Sequence, residues 1–207
     1  MRIIAGRNKG TRLTSPKSRS VRPTSDRVRE TIFNILEHGL GVDLKNARVL
    51  DLFAGTGALG LEALSRGASL AVFVDSGVEA RGLIRQNVER TAATGQTRVF
   101  RRDAARLGPA GGEAPFDLCF ADPPYGQALG IAALLSARSG GWLAPGAMCV
   151  LEESATEDLN LPAGFTEADR RVVGETVLVF VTADGISSDR EAVSRRDDLP
   201  AKAVSAD

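Results

Sequence analysis

From residue 47 onward the chain alternates short β-type runs with helical segments, and this order restricts the fold more than any other feature. The runs are Arg48–Phe53, Leu70–Asp75, Thr97–Arg101, Phe116–Ala121, Ala147–Glu152 and Thr176–Thr182. Between them, residues 78–94 carry Ala80, Leu83, Ile84 and Val88 on one helical face, and residues 127–138 carry Leu129, Ala132, Ala133 and Leu135. Strands alternating with helices build βαβ units around a mostly parallel sheet. Near the end, Arg170–Val173, Gly174-Glu175 and Thr176–Val181 predict an antiparallel hairpin. The expected fold class is α/β, a mostly parallel sheet that finishes with an antiparallel hairpin.

Ahead of this region the composition differs. The whole chain balances 26 basic against 26 acidic residues, which by itself predicts no polyanionic partner. The balance hides a split. Residues 1–29 hold nine basic side chains (Arg2, Arg7, Lys9, Arg12, Lys17, Arg19, Arg22, Arg27 and Arg29) against Asp26 alone. That segment carries +8 and the remainder −8. Such asymmetry points to nucleic acid or another anionic surface, or else to a solvated charged arm. The patch Ile3-Ile4-Ala5 predicts a small strand or hairpin, followed by an extended basic loop to Pro23. Thr24 and Ser25 are helix-capping types before Asp26. Val28, Ile32, Ile35 and Leu36 then form an apolar stripe, Arg27, Thr31 and Asn34 share a neighbouring polar face, and Gly39 and Gly41 end the helix. The expected organisation is a basic N-terminal extension over 1–40, the sheet domain over 41–183, and a disordered polar tail over 184–207.

Several classes are disfavoured. Cys119 and Cys149 sit in apolar runs and read as buried free thiols; with a single histidine, His38, they make no metal centre. No apolar stretch approaches the ~18 residues of a membrane span. No apolar signal region opens the chain, so the expected location is the cytoplasm. His38 reads as a helix-end cation without a catalytic role, and Trp142 as a packing residue.

Val49 to Gly60 reads as a strand, a glycine-rich turn and a helix start. Gly55 and Gly57 permit backbone angles and a ligand approach that a Cβ would forbid. Ligands of open α/β sheets bind beyond the carboxyl ends of the strands. Asp75, ending the next strand, is placed to accept from a ribose hydroxyl pair. Gly55, Gly57 and Gly60 also satisfy G-x-G-x-x-G, so a dinucleotide site and a plain tight turn both stand as readings. A carboxylate at Asp51 would repel a pyrophosphate and would suit a ligand with a cationic amino-acid end, S-adenosylmethionine.

The second chemical signal is Asp122-Pro123-Pro124-Tyr125, closing an apolar strand. Two prolines stiffen the turn and remove two donors, leaving carbonyls to accept. Asp122 adds a carboxylate, and Tyr125, the one tyrosine of the chain, adds an aromatic face. This set suits a planar base with an exocyclic amino group. Base–aromatic stacking contributes about 1–3 kcal/mol.

Taken in order, Asp51–Gly60, Asp75, Asp103 and Asp122–Tyr125 resemble class I S-adenosylmethionine-dependent methyltransferases that act on exocyclic amines. Arg2-Ile3-Ile4-Ala5-Gly6, Gly10-Thr11-Arg12-Leu13, the run Arg22–Asn34 and Leu59–Gly67 narrow this to a resemblance to the RsmD family, the small-subunit rRNA guanine-N2 methyltransferases. It covers residues 1–182. The resemblance implies a seven-stranded sheet with an antiparallel last strand. It implies cofactor contacts at Asp51, Phe53, Ala54, Gly55, Gly57, Asp75, Ser76, Asp103 and Ala104. Asp51 would hold the ammonium end, directly or through water, and Asp103 would accept from the adenine amino group or serve as a helix cap. Catalytic roles fall to Asp122, Pro123, Pro124 and Tyr125, and phosphate contacts to Arg7, Lys9, Arg12, Arg22, Arg27 and Arg29. The resemblance implies 16S rRNA or an assembling small subunit as partner, and the chain is expected to act as a monomer. The chain departs from the family at Ser76-Gly77, where a second acid is common, and beyond Val181. The competing readings are a DNA adenine-N6 methyltransferase, which the lack of a target-recognition domain disfavours, a non-catalytic RNA-binding assembly factor, and an NAD-dependent enzyme.

Overall fold

The computed structural model of the chain describes residues 1–16, 25–126, 129–157 and 159–185. Its strands are β1 Arg48–Leu52, β2 Leu70–Val74, β3 Thr97–Phe100, β4 Phe116–Ala121, β5 Leu143–Ser154, β6 Phe165–Val173 and β7 Thr176–Ala183. They form one seven-stranded sheet in the order β3-β2-β1-β4-β5-β7-β6. The first five strands pair in parallel, and β7 runs antiparallel to both β5 and β6. The helices described are α1 Asp26–Asn34, α2 Ala58–Ser65, α3 Val78–Arg90 and α4 Leu129–Ser139. The expected α/β class with an antiparallel end is therefore the observed one.

Alternation along the strands sorts side chains into two layers. Val49, Phe73, Leu118, Phe120, Val150 and Phe180 face one core with α1, α2 and α3. Leu50, Leu52, Val72, Cys119, Leu151 and Val179 face the other with α4 and Trp142. Burial on both faces explains why these strands read as near-continuous apolar runs. Trp142 stacks on Phe116 at 6.1 Å between centroids, and its indole N–H donates to the Gly108 carbonyl at 2.7 Å. Cys119 and Cys149 are buried free thiols in register across β4 and β5.

The first residues join the same core. Ile3 and Leu13 pack with Ile32, Phe33 and Leu36 of the α1 region against the sheet. An antiparallel bridge between Arg2 and Arg12 closes a small hairpin. Buried Glu62 of α2 accepts from the Ile4 and Ala5 amides at 2.7 and 2.9 Å. Gly6 lies so close to the Ser65 carbonyl that a Cβ would collide with it. The Ser25 hydroxyl caps α1 by accepting from Val28 N at 3.2 Å. Beyond Asn34 the helix widens to a π turn over Ile35–Gly39, closed by Leu40 N on the Ile35 carbonyl at 2.8 Å.

Two strands extend past their expected bounds. β5 begins at Leu143, before Pro145-Gly146, because its ladder with β4 shifts register there and the pair sits in a bulge. β6 begins at Phe165 because an edge strand with one wet face needs no apolar run. Residues 17–24, with most of the expected basic loop, and residues 186–207, with all but the first two residues of the expected tail, lie outside the described residues. Among the described residues no helix is long and apolar enough to cross a membrane.

Candidate active site at the carboxyl ends of the central strands

β1 lies between β2 and β4, so the strand order reverses there and leaves a crevice beyond the carboxyl ends. Both chemical signals meet at this point. Leu52 of β1 is in register with Ala121 of β4, so Phe53 and Asp122 leave the sheet side by side. Neighbouring strands sit about 4.8 Å apart, which places the glycine loop directly beside the Asp-Pro-Pro-Tyr turn.

The glycine loop is a tight construction. Phe53 takes φ +57°, unusual for a bulky residue, and Gly55 and Gly57 follow at +56° and +76°. Ala54 N donates to the Val74 carbonyl at 3.1 Å and Gly57 N to the Ala54 carbonyl at 2.7 Å. Gly60 is a packing glycine: a Cβ there would lie 2.5 Å from the Phe73 ring and 3.2 Å from the Asp51 carboxylate.

The structure places Asp51 beneath the glycine loop. Its side chain is not at the rim; the residue is 2 % exposed, and Oδ2 accepts from Gly60 N at 2.9 Å. Burial pushes its carboxyl up to about 8; the Gly60 N–H opposes the rise and the Asp75 charge adds to it. Asp51 thus braces the loop and α2 from beneath, and its burial favours the protonated form. Its burial disfavours a direct contact with a ligand's ammonium group and leaves the contact through water open.

Asp75, one residue beyond β2, is half-buried and holds the rim. Its two oxygens accept from Gly55 N at 2.9 Å and Gly77 N at 2.7 Å. Exposed Ser76 follows, and its carbonyl accepts from the Arg81 guanidinium at 2.6 Å, alongside the Asp75 and Gly77 carbonyls. Asp103, beyond β3, is exposed and caps a 3-10 turn through Ala105 N at 3.0 Å, with Ala104 buried behind it. Successive strand ends therefore carry carboxylates along one side of the glycine loop. That set of acceptors fits a ligand with ribose hydroxyls and an adenine amino group, since carboxylates accept from both.

On the other side, Asp122 is half-buried, Pro123 buried and Pro124 exposed. Tyr125 is half-buried and its hydroxyl is engaged twice, at 3.0 Å from Glu152 Oε1 and 3.0 Å from Thr176 Oγ1. Burial pushes the phenol up to about 12, with the charges of Glu152 and Asp122 adding. It stays protonated and donates to Glu152. Having one proton, it accepts from the Thr176 hydroxyl. Glu153 accepts from Gly126 N at 3.3 Å, so consecutive β5 residues hold the turn.

Of the basic set, Arg7, Lys9, Arg12 and Arg27 are exposed, and Arg7 bonds the Gln96 side chain. Arg22 lies outside the described residues. Arg29 is corrected: it is 0 % exposed, donating to Asp26 at 2.8 Å and to the Arg2 carbonyl at 2.6 Å. Partial burial is the largest single influence on Asp26 and raises it, but the Arg29 guanidinium, the Arg2 amide and the amino terminus together hold it below the ordinary carboxylate range. Arg29 holds the hairpin to α1 and presents nothing to a phosphate.

Asn87, buried on α3, escaped the sequence reading. Its amide spans Thr14 N at 2.7 Å, the Thr14 carbonyl at 3.2 Å and the Thr56 carbonyl at 2.9 Å. Glu152 and Thr176 escaped it too, because a lone acid and a lone threonine in strands carry no pattern.

Residues 1–182 match the family model described as "Conserved hypothetical protein 95". The ribosomal RNA small subunit methyltransferase D of Escherichia coli K12 is 35 % identical over 178 residues, covering 84 % of this chain and 86 % of that protein. This chain belongs to the RsmD family. Among solved structures, yhhF of Escherichia coli, a candidate methyltransferase, superposes with a TM-score of 0.76 at 31 % identity, covering 89 % of this chain and 98 % of the other. The Thermus thermophilus 16S rRNA N2 G1207 methyltransferase, solved with AdoMet and guanosine, shares the fold at a TM-score of 0.59 and 21 % identity, covering 78 % and 44 %. This RsmD-family chain is thus a member of a methyltransferase family with the Rossmann-like fold. Membership also removes the dinucleotide reading, which a protonated Asp51 does not exclude by charge.

Proposed function

We propose that the chain transfers a methyl group from S-adenosylmethionine to the exocyclic N2 of a guanine in 16S rRNA of the small ribosomal subunit. The observation that carries this reading is the adjacency of the glycine loop and the Asp-Pro-Pro-Tyr turn across β1 and β4, with carboxylates on the cofactor side and an aromatic ring on the other. S-adenosylmethionine supplies a methyl group on a positively charged sulfur. Gly55 and Gly57 let the backbone come close to it, Asp75 accepts from its ribose hydroxyls and Asp103 from its adenine amino group.

The target guanine leaves its stack and lies against Tyr125, the usual solution when chemistry must reach a base edge. Asp122 and the Pro123 carbonyl accept from the amino group. They turn the nitrogen lone pair, otherwise delocalised into the ring, toward the methyl carbon. When bound, S-adenosylmethionine would supply the methyl group from its sulfonium, with S-adenosylhomocysteine as the leaving group. The surplus proton on N2 passes to Asp122 or water, and no strong base is needed because the methylated nitrogen is acidic. Alignment supplies much of the rate. Exposed Arg7, Lys9, Arg12 and Arg27, with Arg22, meet backbone phosphates independently of sequence. The work is proposed to take place in the cytoplasm.

The test is incubation with labelled S-adenosylmethionine and 16S rRNA, small subunits or DNA, followed by nucleoside analysis. N2-methylguanine in 16S rRNA supports the reading. N6-methyladenine in DNA replaces it with the nearest competitor, and no transfer to any substrate leaves a non-catalytic RNA-binding factor.

A further inference from the structure

We propose that Glu152 and Thr176 are positioning residues that lock the ring of Tyr125 in one orientation, so that the target base meets a preset face. The inference rests on the reading of Tyr125 as the surface against which the base lies. Tyr125 follows β4 in a turn, where a side chain has freedom to swing. Its hydroxyl is tied to two side chains that have none. Glu152 sits within β5 and Thr176 opens β7, two strands paired in register, Glu152 with Leu178 and Ser154 with Thr176. Both residues are nearly buried, at 6 % and 5 % exposure. A hydrogen bond at each edge of the phenol oxygen, both 3.0 Å, fixes the ring axis and limits its tilt. Burying a carboxylate beside a strand end is unfavourable for folding unless it is well bonded, and an apolar residue would fill the space more simply. A phenol kept protonated by its surroundings makes a dependable donor to that carboxylate. A ring already in place loses little freedom when a base stacks on it, and the base arrives aligned for transfer.

The experiment compares Glu152→Ala, Glu152→Gln, Thr176→Val and Tyr125→Phe with the full chain. It measures steady-state kinetics on 16S rRNA substrate, S-adenosylmethionine affinity and thermal midpoint. Glu152→Ala and Tyr125→Phe are expected to lower kcat about tenfold, as misalignment does, with S-adenosylmethionine affinity unchanged. Glu152→Gln, which keeps the acceptor oxygen, recovers most of that loss. Tyr125→Phe combined with Glu152→Ala is no worse than Tyr125→Phe alone, because the phenylalanine has already lost the bond to Glu152. Thr176→Val lowers kcat by a smaller factor and decides the matter if Glu152→Ala does not fold. A folded Glu152→Ala or Thr176→Val variant with full kcat overturns the proposal, as do additive losses in the double variant. Full activity in Tyr125→Ala has a different meaning: it overturns the stacking reading itself, and the clamp with it.

Discussion

The side-chain amide of Asn87 donates to the carbonyl of Thr56 at 2.9 Å, so α3 holds the middle of the glycine loop from behind. The same side chain pairs with both backbone groups of Thr14 at 2.7 and 3.2 Å. One buried residue thus joins the loop to the N-terminal segment. Asn87→Leu leaves the buried Thr56 carbonyl and the two part-buried backbone groups of Thr14 without this partner, and a fully buried group left unpaired costs about 1–3 kcal/mol. The expected loss is about 2–4 kcal/mol of stability. Denaturant midpoints measure it, and a loss within about 0.5 kcal/mol, the range of ordinary surface changes, would count against this account.

Asp51 makes stability depend on pH. Its carboxyl rises from 3.8 to about 8 on folding, chiefly by burial. The folded state therefore binds the proton more tightly than the unfolded chain does. The contribution is fully present below about pH 4 and is lost progressively as pH rises through 8. Asp51→Asn keeps an acceptor for Gly60 N and carries no charge. Relative to the parent chain it should gain stability steadily from pH 5 to pH 9. Urea unfolding at both pH values tests this, and an unchanged difference between the two proteins would refute the assignment.

Asp122 acts on the nucleophile and not on the cofactor, in the proposed function. Asp122→Ala should bind S-adenosylmethionine within about twofold of the parent while methyl transfer drops about a hundredfold or more, the scale of lost alignment and electrostatic support. Calorimetry and labelled-methyl transfer separate the two quantities. Near-normal turnover would remove Asp122 from the site.

Burial divides the basic residues into two groups with opposite expected behaviour. Arg7, Lys9, Arg12 and Arg27 are exposed. Replacing any one by Ala should flatten the slope of log affinity for RNA against log salt by about 1 without unfolding the chain. Arg29→Ala should leave that slope unchanged and cost about 1–3 kcal/mol of stability, through the Arg2 carbonyl left without its donor. The figure stays modest because the Asp26 side chain is 43 % exposed and water replaces part of the pairing. A salt slope altered by Arg29→Ala would show that the burial is not kept in solution.

The sheet was legible in the sequence because strand burial leaves a local mark. The expected bounds of β4 match the structure to the residue, and those of β1, β2 and β3 to within one, since a strand that ends in a turn needs no distant partner to be seen. β5 and β6 were cut short where their pattern depends on neighbours. A Pro-Gly pair lies in a bulge defined by β4, and polar edge residues pair only because β7 is beside them. The glycine loop and the Asp-Pro-Pro-Tyr turn were equally visible, since their chemistry is written in contiguous residues.

What the sequence determined by itself was the order of elements, the two chemical turns and the division of charge along the chain. The tertiary structure decided what each polar group does. Asp51 and Asp75 look alike as acids near strand ends, yet one is sealed beneath Gly60 and the other holds the rim. Arg27 and Arg29 are two residues apart, and the turn of α1 exposes one and buries the other. Tyr125 meets Glu152 and Thr176 across 27 and 51 residues of chain. Periodicity is a local property and survives in the sequence. Burial and pairing depend on which distant segments share a space, and only folding sets that.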